Sequence, residues 1–237
     1  TPRASRPRRT FRKALTTPNS ARANSRRHRE FFERVPVYEF GVRHVSDHSI
    51  RLGLSTSSVY PMTVTTCFDT AARLGYEGVE IMITNRAETQ DVDFIRSEVQ
   101  RTGLPVLSLH APTLLFMPRV MTSDHWEKLR ITCRIAAEVG ARSVVLHPPF
   151  RWQGDYARNF VTGVREISEE TGITLAVENM YPWRAGIREV QVYLPDWNPI
   201  GYDYDAVTFD FSHAATAGMN ALEAVKELFP KLRHIHL

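Results

Sequence analysis

Short apolar runs alternate with segments of helical periodicity from Arg51 to the end of the 237-residue sequence. The apolar runs cover residues 52–57, 78–83, 104–110, 142–147, 173–178, 206–213 and 232–237. Helical spacing of apolar residues fills the segments between them, at about 62–75, 91–102, 123–139, 154–171 and 220–229. Near-continuous apolar strands that alternate with helices predict a parallel sheet covered on both faces.

Four glycines support these boundaries, because each stands at the expected end of a helix and just before the next apolar run. They are Gly75, Gly103, Gly140 and Gly172, and glycine readily adopts the left-handed conformation that ends a helix. Seven strands fit either a doubly wound sheet or a (β/α)₈ barrel that lacks one strand. No glycine-rich phosphate-binding fingerprint follows the first run, where a dinucleotide-binding sheet carries one.

Side chains that can bind a metal stand at the ends of five predicted strands. They are His110, His147, Glu178, Asp210 with His213 close behind, and His236. The carboxyl ends of all strands in a parallel barrel open on one face, so these six side chains are expected to converge there. Each follows an apolar run, so an unpaired carboxylate would be costly and a divalent cation is its natural partner. We therefore predict an α/β fold, a (β/α)₈ TIM barrel that is incomplete at the C-terminus, with seven strands present.

Each candidate ligand also has a purely structural interpretation, because a lone histidine at a strand end is more often a hydrogen-bonded residue than a ligand. Glu178 has a stronger case, since an acid at the end of a buried strand requires compensation. The Asp-x-x-His spacing lets the Asp210 carboxylate and a loop imidazole at His213 approach the same ion. His234 shares the period-two side of His236, and we expect it to be a neighbour that faces the barrel interior.

Charge divides the chain into two parts. Residues 1–50 contain 12 basic and 4 acidic side chains, whereas residues 51–237 contain 18 and 22, so the net charge of +4 arises in the N-terminal segment. That segment is rich in Arg and Ser and has little apolar periodicity, which predicts a disordered basic arm over 1–50 and a barrel domain over 51–237. The remaining histidines, His28, His44, His48 and His125, are expected to be exposed to solvent.

Two classes of protein are excluded by composition. No apolar run approaches the roughly 20 residues that a membrane span requires, and no membrane partner is expected. The only cysteines, Cys67 and Cys133, lack CxxC spacing, which argues against a disulfide framework or a thiolate metal site. We expect them to be reduced core thiols of a cytoplasmic protein.

The motifs SLHAP, VVLHPPF, AVENMYPW, DFSHA and HIHL resemble those of the xylose isomerase-like TIM-barrel superfamily, which includes sugar phosphate isomerases/epimerases and endonuclease IV. For the epimerase branch, the resemblance implies a divalent metal on Glu178, Asp210, His236 and a glutamate from strand eight. Glu178 and that glutamate would exchange a substrate proton, and His213 would touch the sugar. For the nuclease branch, it implies that His110, His147 and His213 join a three-zinc cluster.

The sequence ends at the predicted seventh strand, at Leu237, before the strand-eight glutamate that the resemblance implies. Seven strands leave two unpaired edges where a barrel should close. We therefore expect this segment alone to be poorly stable, and inactive unless the missing C-terminal portion is supplied.

The candidate ligands leave two chemistries open. His110 and His147 favour a multinuclear site, which suits phosphodiester hydrolysis. The acidic balance of residues 51–237 argues against DNA as a partner. Thr113 also stands where the endonuclease pattern has an aromatic residue, and Leu114 alone is a weaker wedge between bases.

Aromatic residues gather after the fourth and fifth strands, at Phe150, Trp152, Tyr181 and Trp183. Aromatic walls suit sugar faces, and Arg151 and Arg184 are suited to gripping a phosphate or carboxylate. The alternative is that Trp152 and Trp183 simply pack beneath loops. We predict an isomerase or epimerase of a small sugar or sugar phosphate that depends on a divalent metal, either Zn²⁺ or Mn²⁺, with Mg²⁺ as an alternative. A zinc-dependent abasic-site endonuclease, which alone would have DNA as a partner, and an inactive barrel scaffold are the other hypotheses.

Overall fold

The computed structural model describes residues 50–112 and 119–237. Its strands are β1 (Gly53–Ser55), β2 (Gly78–Met82), β3 (Val106–His110), β4 (Ser143–Leu146), β5 (Thr174–Glu178), β6 (Trp183–Ala185), β7 (Arg188–Val190), β8 (Val207–Asp210) and β9 (Leu232–His236). All except β6 and β7 form one parallel sheet, and each strand pairs with the next along the chain. The described residues thus supply seven parallel strands of a TIM-like barrel, as the sequence predicted.

Helices connect the strands of the sheet. They are α1 (Val64–Leu74), α2 (Val92–Thr102), α3 (His125–Val139), α4 (Gly154–Arg158), α5 (Phe160–Thr171), α6 (Phe211–Ala217) and α7 (Ala221–Leu228). The predicted glycines follow α1, α2, α3 and α5, and all four have positive φ, for example 81° at Gly140. The cap assignments are therefore confirmed, because this conformation is the one that glycine tolerates best.

Three details differ from the predicted elements. The helix predicted over 154–171 is two helices, because Asn159 leaves the helical conformation, with φ of −101° and ψ of 13°. The hairpin of β6 and β7 was not predicted. The prediction of a loop at His213 was wrong, since Asp210 caps α6 by accepting a hydrogen bond from the His213 backbone N–H, at 2.6 Å.

Side chains alternate between the two faces of the sheet. Val79 and Ile81 on β2 are fully buried in the apolar core shared with the helices, while Glu80 between them lies on the other face. Glu80 nevertheless contacts His236, at 3.3 Å and 156 positions further along the chain. The sheet is therefore curled, with one face turned inward. The inner positions are Glu80, Ser108, His110, Val145, Ala176, Glu178, Thr208, Asp210, His234 and His236.

The remaining predictions concern the N-terminal arm, the loop after β3, the cysteines and membrane spans. Residues 1–49 of the predicted arm, with His28, His44 and His48, lie outside the described residues, as do Thr113 and Leu114. Cys67 and Cys133 are buried and unpaired as disulfides, as expected. Across 50–112 and 119–237, no helix is long and apolar enough to cross a membrane.

Candidate metal centre

All six predicted ligands meet at the carboxyl end of the sheet. Four of them are the last residues of their strands: His110 on β3, Glu178 on β5, Asp210 on β8 and His236 on β9. His147 follows β4 directly, and His213 lies in the first turn of α6. The convergence expected from parallel strand topology is therefore present in the structure.

Glu178 is the centre of this cluster. Its Oε2 lies 3.2 Å from Nε2 of both His110 and His147, and its Oε1 lies 3.1 Å from Nδ1 of His236 and 3.3 Å from Nδ1 of His213. Only 1% of the Glu178 residue surface is exposed. Burial alone would raise the pKa of this carboxyl, but hydrogen bonds from the four imidazoles outweigh it and hold the pKa well below its usual range. Glu178 is therefore a buried carboxylate.

The pKa values of the four imidazoles shift in different directions, although all four rings contact Glu178. Burial acts to lower the pKa of each ring, whereas the hydrogen bond and charge of Glu178 act to raise it. The pKa of His236 rises to about 10, because it also contacts Glu80, and the pKa values of His110 and His213 are raised as well. Burial prevails at His147, whose pKa is lowered. A neutral imidazole of this kind is the form that binds metals.

Backbone contacts orient two of the histidines. Nδ1 of His110 lies 2.8 Å from the carbonyl oxygen of Ala111, and Nδ1 of His213 lies 2.9 Å from that of Asn179. A carbonyl only accepts, so Nδ1 carries a proton in both rings and Nε2 is the atom that would bind a metal once any proton on it is displaced. Such contacts fix the tautomer of a metal-binding histidine.

Asn179 joins the ends of β5 and β8. Its Oδ1 accepts from the Asp210 backbone N–H at 2.7 Å, and its Nδ2 donates to the Asp210 carbonyl at 3.0 Å. Asp210 accepts from Ser212 Oγ at 2.7 Å, and its other oxygen lies 3.8 Å from Nδ1 of both His213 and His236. The Asp-x-x-His spacing thus serves helix capping and also brings the two side chains to Glu178.

Three groups of side chains in this region have ligand atoms within 4.8 Å of one another. The groups are His110, His147 and Glu178; Glu178, Asp210 and His213; and Glu80, His234 and His236. Mixed imidazole and carboxylate donors suit Zn²⁺, Mn²⁺ and similar divalent ions. The buried Glu178 carboxylate belongs to the first two groups. It fits a cation, because without one only the neighbouring histidines would compensate its charge.

Glu80 is a member of this network that the sequence analysis missed. Its carboxylate accepts from Ser108 Oγ at 2.8 Å and lies 3.1 Å from His234 Nε2 and 3.2 Å from His236 Nε2. His236 therefore stands between two carboxylates, with Nδ1 toward Glu178 and Nε2 toward Glu80. The available signal was an acid flanked by valine and isoleucine in the apolar run GVEIM. His234 faces the interior, as expected.

A cavity of about 630 Å³ adjoins the cluster and includes His147 and His213 in its wall. Of the four residues predicted to bind substrate, Trp183 and Arg184 line the cavity. Trp152 and Arg151 do not, and Trp152 instead stacks on the lining residue Phe150, with ring centroids 4.6 Å apart. Among the described residues, Tyr156, Tyr181 and Tyr193 also contribute rings to the wall. The wall thus offers several ring faces beside the histidines.

His125 also lines the cavity and is half-buried. The expectation that it is exposed to solvent was wrong, because α3 begins at the cavity rather than at the outer surface. Lys128, one turn further along α3, lines the cavity as well and is only 1% exposed. Neither residue stands at a strand end, which is why the pattern of strand ends did not reveal them.

The chain is similar in sequence to two mycobacterial proteins. It is 40% identical over 207 residues to an uncharacterized protein of Mycobacterium leprae, a match that covers 79% of this chain and 74% of that protein. An uncharacterized protein of Mycobacterium tuberculosis is 38% identical over 208 residues, with 80% and 74% covered.

Solved structures share the fold at lower identity. A D-tagatose 3-epimerase-like protein superposes with a TM-score of 0.61 at 23% identity, covering 79% of this chain and 76% of the other. The 3-keto-D-glucoside 4-epimerase of E. coli gives 0.58 at 14% identity, covering 79% and 78%. A sugar phosphate isomerase/epimerase of Parabacteroides distasonis gives 0.57 at 17%, covering 81% and 76%. A family model described as xylose isomerase-like TIM barrel matches residues 68–237, and the chain belongs to that family.

Proposed function

We propose that the protein is a divalent-metal-dependent isomerase or epimerase that moves a proton next to the carbonyl of a small sugar or sugar phosphate. The observation that carries the proposal is the buried Glu178 carboxylate, which is surrounded by four imidazoles and lies beside an aromatic cavity. The solved structures of similar fold include a 3-keto-D-glucoside 4-epimerase and a D-tagatose 3-epimerase-like protein, which supports a sugar substrate.

The metal would be held by Glu178, Asp210 and His236, with His213 beside them. A bound divalent ion supplies a Lewis acid that polarises the substrate carbonyl and makes the neighbouring C–H more acidic. Zn²⁺ and Mn²⁺ both suit this donor set, and Mg²⁺ suits its carboxylates.

Glu178 would act as the general base that takes the proton from the carbon next to the carbonyl. It is ionised, buried and held from both oxygens, so it is positioned in one orientation before substrate arrives. His213 lines the cavity and lies 3.3 Å from Glu178 Oε1, so it would contact a sugar oxygen near the reacting carbon. The faces of Trp183 and Tyr181 would stack on the sugar and exclude water.

Replacement of Glu178 tests the proposal. Glu178→Gln keeps the size of the side chain but removes the base, so we expect proton exchange to fall by about 10²–10⁴-fold. The measurement is solvent-deuterium incorporation into a panel of ketoses, aldoses and their phosphates, with the metal-loaded protein. Glu169→Gln, at an exposed position of α5, is the matched control and should retain activity. Unchanged exchange in Glu178→Gln would overturn the assignment.

A zinc-dependent phosphodiesterase is the second candidate, and one observation favours it. His110 and His147 both contact the same oxygen of Glu178, which is the arrangement that an additional ion would need. Metal analysis combined with an abasic-site nicking assay separates the two candidates. About three zinc ions per chain with nicking would favour the nuclease, and one ion with sugar turnover the epimerase. A chain that binds no metal would support the scaffold hypothesis.

A further inference from the structure

Aromatic side chains continue from the cavity wall to its edge, where Trp152 has no part in the proposed reaction. Trp152 lies in a short 3₁₀ turn, Arg151–Gln153, after β4. Its ring stacks on that of the lining residue Phe150, with centroids 4.6 Å apart and an interplanar angle of 6°. It also lies 6.4 Å, between centroids, from the lining residue Trp183. Trp152 therefore extends the row of rings beyond the cavity itself.

Buried side chains support the Trp152 ring on one face. Phe150, on which it stacks, also stacks on Tyr193, with centroids 5.1 Å apart. Both residues belong to an apolar cluster separate from the main core, whose other members are Met180 and Val192. The backbone here is fixed as well, because the Leu194 N–H donates to the Pro149 carbonyl at 2.9 Å. A ring held in this way loses little conformational freedom when a ligand packs on it.

The remaining surface of these rings is open to solvent. Trp152 is 60% exposed and Trp183 is 37% exposed, whereas Phe150 between the wall and Trp152 is buried. Val190 pairs with Trp183 across the hairpin of β6 and β7 and is also exposed. A single exposed apolar side chain is ordinary, but a contiguous group beside a cavity is typical of a ligand-binding groove. A ligand that projects from the cavity would cover this group.

The shape and charge of this edge indicate what such a ligand carries. The face of an indole suits a flat ring with an apolar face, and the distance from Trp152 to Trp183 is one that two linked rings can span. The cavity of about 630 Å³ lies within the range of roughly 300–1,000 Å³ that drug-sized ligands occupy, and one sugar ring fills only part of it. Arg184 pairs with Glu189 at 3.3 Å, so its charge is already compensated.

We propose that Trp152 is an outer subsite for an uncharged ring attached to the substrate sugar through its anomeric oxygen, so that the substrate is a glycoside. The proposal rests on the proposed isomerase or epimerase function and deepens it by naming the substrate class. The reacting sugar lies beside Glu178 and Trp183, and the attached ring, a second pyranose or an aromatic aglycone, lies on Trp152. A glycoside has no free carbonyl at its anomeric carbon, so the carbonyl is a ketone elsewhere on the sugar ring and the reaction is an epimerisation.

Equilibrium binding of matched glycosides tests the subsite without turnover. Methyl, phenyl and glucosyl groups on the anomeric oxygen of D-glucose give three probes that differ only in the attached group, in an α and a β series. Titration calorimetry on the full chain measures their affinities. In one series we expect the phenyl or the glucosyl probe to bind about three- to tenfold more tightly than the methyl probe. Equal affinities within both series, or no binding by any probe, would overturn the proposal.

Variants of Trp152 attribute the preference to its ring. Trp152→Ala removes the ring, so it should abolish the preference and leave the affinity for the methyl probe unchanged. Trp152→Phe keeps a smaller ring and should retain part of the preference. Phe229→Ala is the matched control, because Phe229 is an equally exposed aromatic residue that directly follows α7. A preference that is undiminished in Trp152→Ala would contradict the proposal.

Fluorescence quenching shows directly which ring the ligand covers. Acrylamide quenches exposed indoles, and the difference between the wild-type protein and Trp152→Phe isolates the contribution of Trp152. We expect the phenyl or glucosyl probe at saturation to protect Trp152 from acrylamide and the methyl probe to leave it accessible. Equal protection by the methyl probe would refute the outer subsite, because the first sugar would then lie on Trp152. Since no turnover is involved, a failure of the isomerase assay leaves this result interpretable.

Discussion

His236 illustrates how one side chain links two carboxylates in the barrel interior. Its Nδ1 faces Glu178 at 3.1 Å, and its Nε2 faces Glu80 at 3.2 Å. Burial acts to raise the pKa of the Glu80 carboxyl, but hydrogen bonds from His234 and His236 hold it well below its usual range. An ionised Glu80 accepts a hydrogen bond from Nε2–H, so Nδ1, on the Glu178 side, is the atom that would bind a metal once its proton is displaced. Carboxylates in this position orient histidine ligands and raise their basicity.

We therefore expect Glu80→Gln to weaken metal binding by about 10–100-fold. The glutamine amide presents either a weaker acceptor or a donor to His236, so the ring is no longer held with Nδ1 free. Competition with a chromophoric chelator measures the affinity directly, independently of any activity. Glu169→Gln serves as the control, because that residue is exposed on α5. An unaltered affinity in Glu80→Gln would show that Glu80 has no part in orienting His236.

Close packing between helices α3 and α5 holds the cavity wall in place. Trp126 lies next to His125 in α3, and its indole stacks edge-on against Tyr156 with centroids 4.5 Å apart. A Cβ added at Gly163 of α5 would overlap the six-membered ring of Trp126. Glycine is thus required at this position for close approach of the two helices.

Gly163→Ala should therefore destabilise the protein by about 1–3 kcal/mol, even though alanine favours helix formation. The rigid indole must move away, and it would carry the first turn of α3 with it. Urea denaturation measures the loss in the free energy of unfolding. Thr162→Ala, at the neighbouring exposed position, should change this free energy by no more than about 0.5 kcal/mol. Equal stabilities of the two variants would refute the close packing.

Helix ends and the hairpin of β6 and β7 depend on short stretches of sequence. The helix ends were predictable, because the chain conformation at Gly75 or Gly140 depends on a few neighbouring residues. The hairpin of β6 and β7 was missed although a local signal existed. Gly186 and Ile187 connect the strands, and a glycine with φ of 62° at the first position is typical of a two-residue turn. Its three-residue strands are too short for a clear alternation pattern.

At the scale of the whole molecule, strand topology explains why most of the site could be predicted. Parallel strands bring their carboxyl ends to one face, so residues as distant as His110 and His236 were expected to meet. The same argument gives no information about contacts across the barrel interior. Glu80 lies in the middle of β2, and its partner His236 is 156 positions away. Such a contact depends on how the sheet curls, which is a property of the complete packing.

Because the proposed ligands Glu178, Asp210 and His236 come from β5, β8 and β9, the unfolded chain has no equivalent site. Metal that binds only the folded state stabilises it by RT ln(1 + [L]/Kd), or about 2.7 kcal/mol at a free metal concentration one hundred times Kd. We expect Zn²⁺ or Mn²⁺ to raise the unfolding temperature and a chelator to reverse the change.

Variants connect this stabilisation to the cluster rather than to adventitious binding. His236→Ala and Asp210→Asn each remove one proposed ligand, so each should reduce the metal-induced shift in unfolding temperature relative to its own metal-free baseline. Asp203→Asn is the control, because its carboxylate is exposed and pairs with Arg165 outside the cluster. A metal-induced shift that is equally large in all three variants would place the ion elsewhere. If the ion binds at the Glu178 cluster, only the Asp203 variant retains the full metal-induced shift, because it alone keeps every proposed ligand.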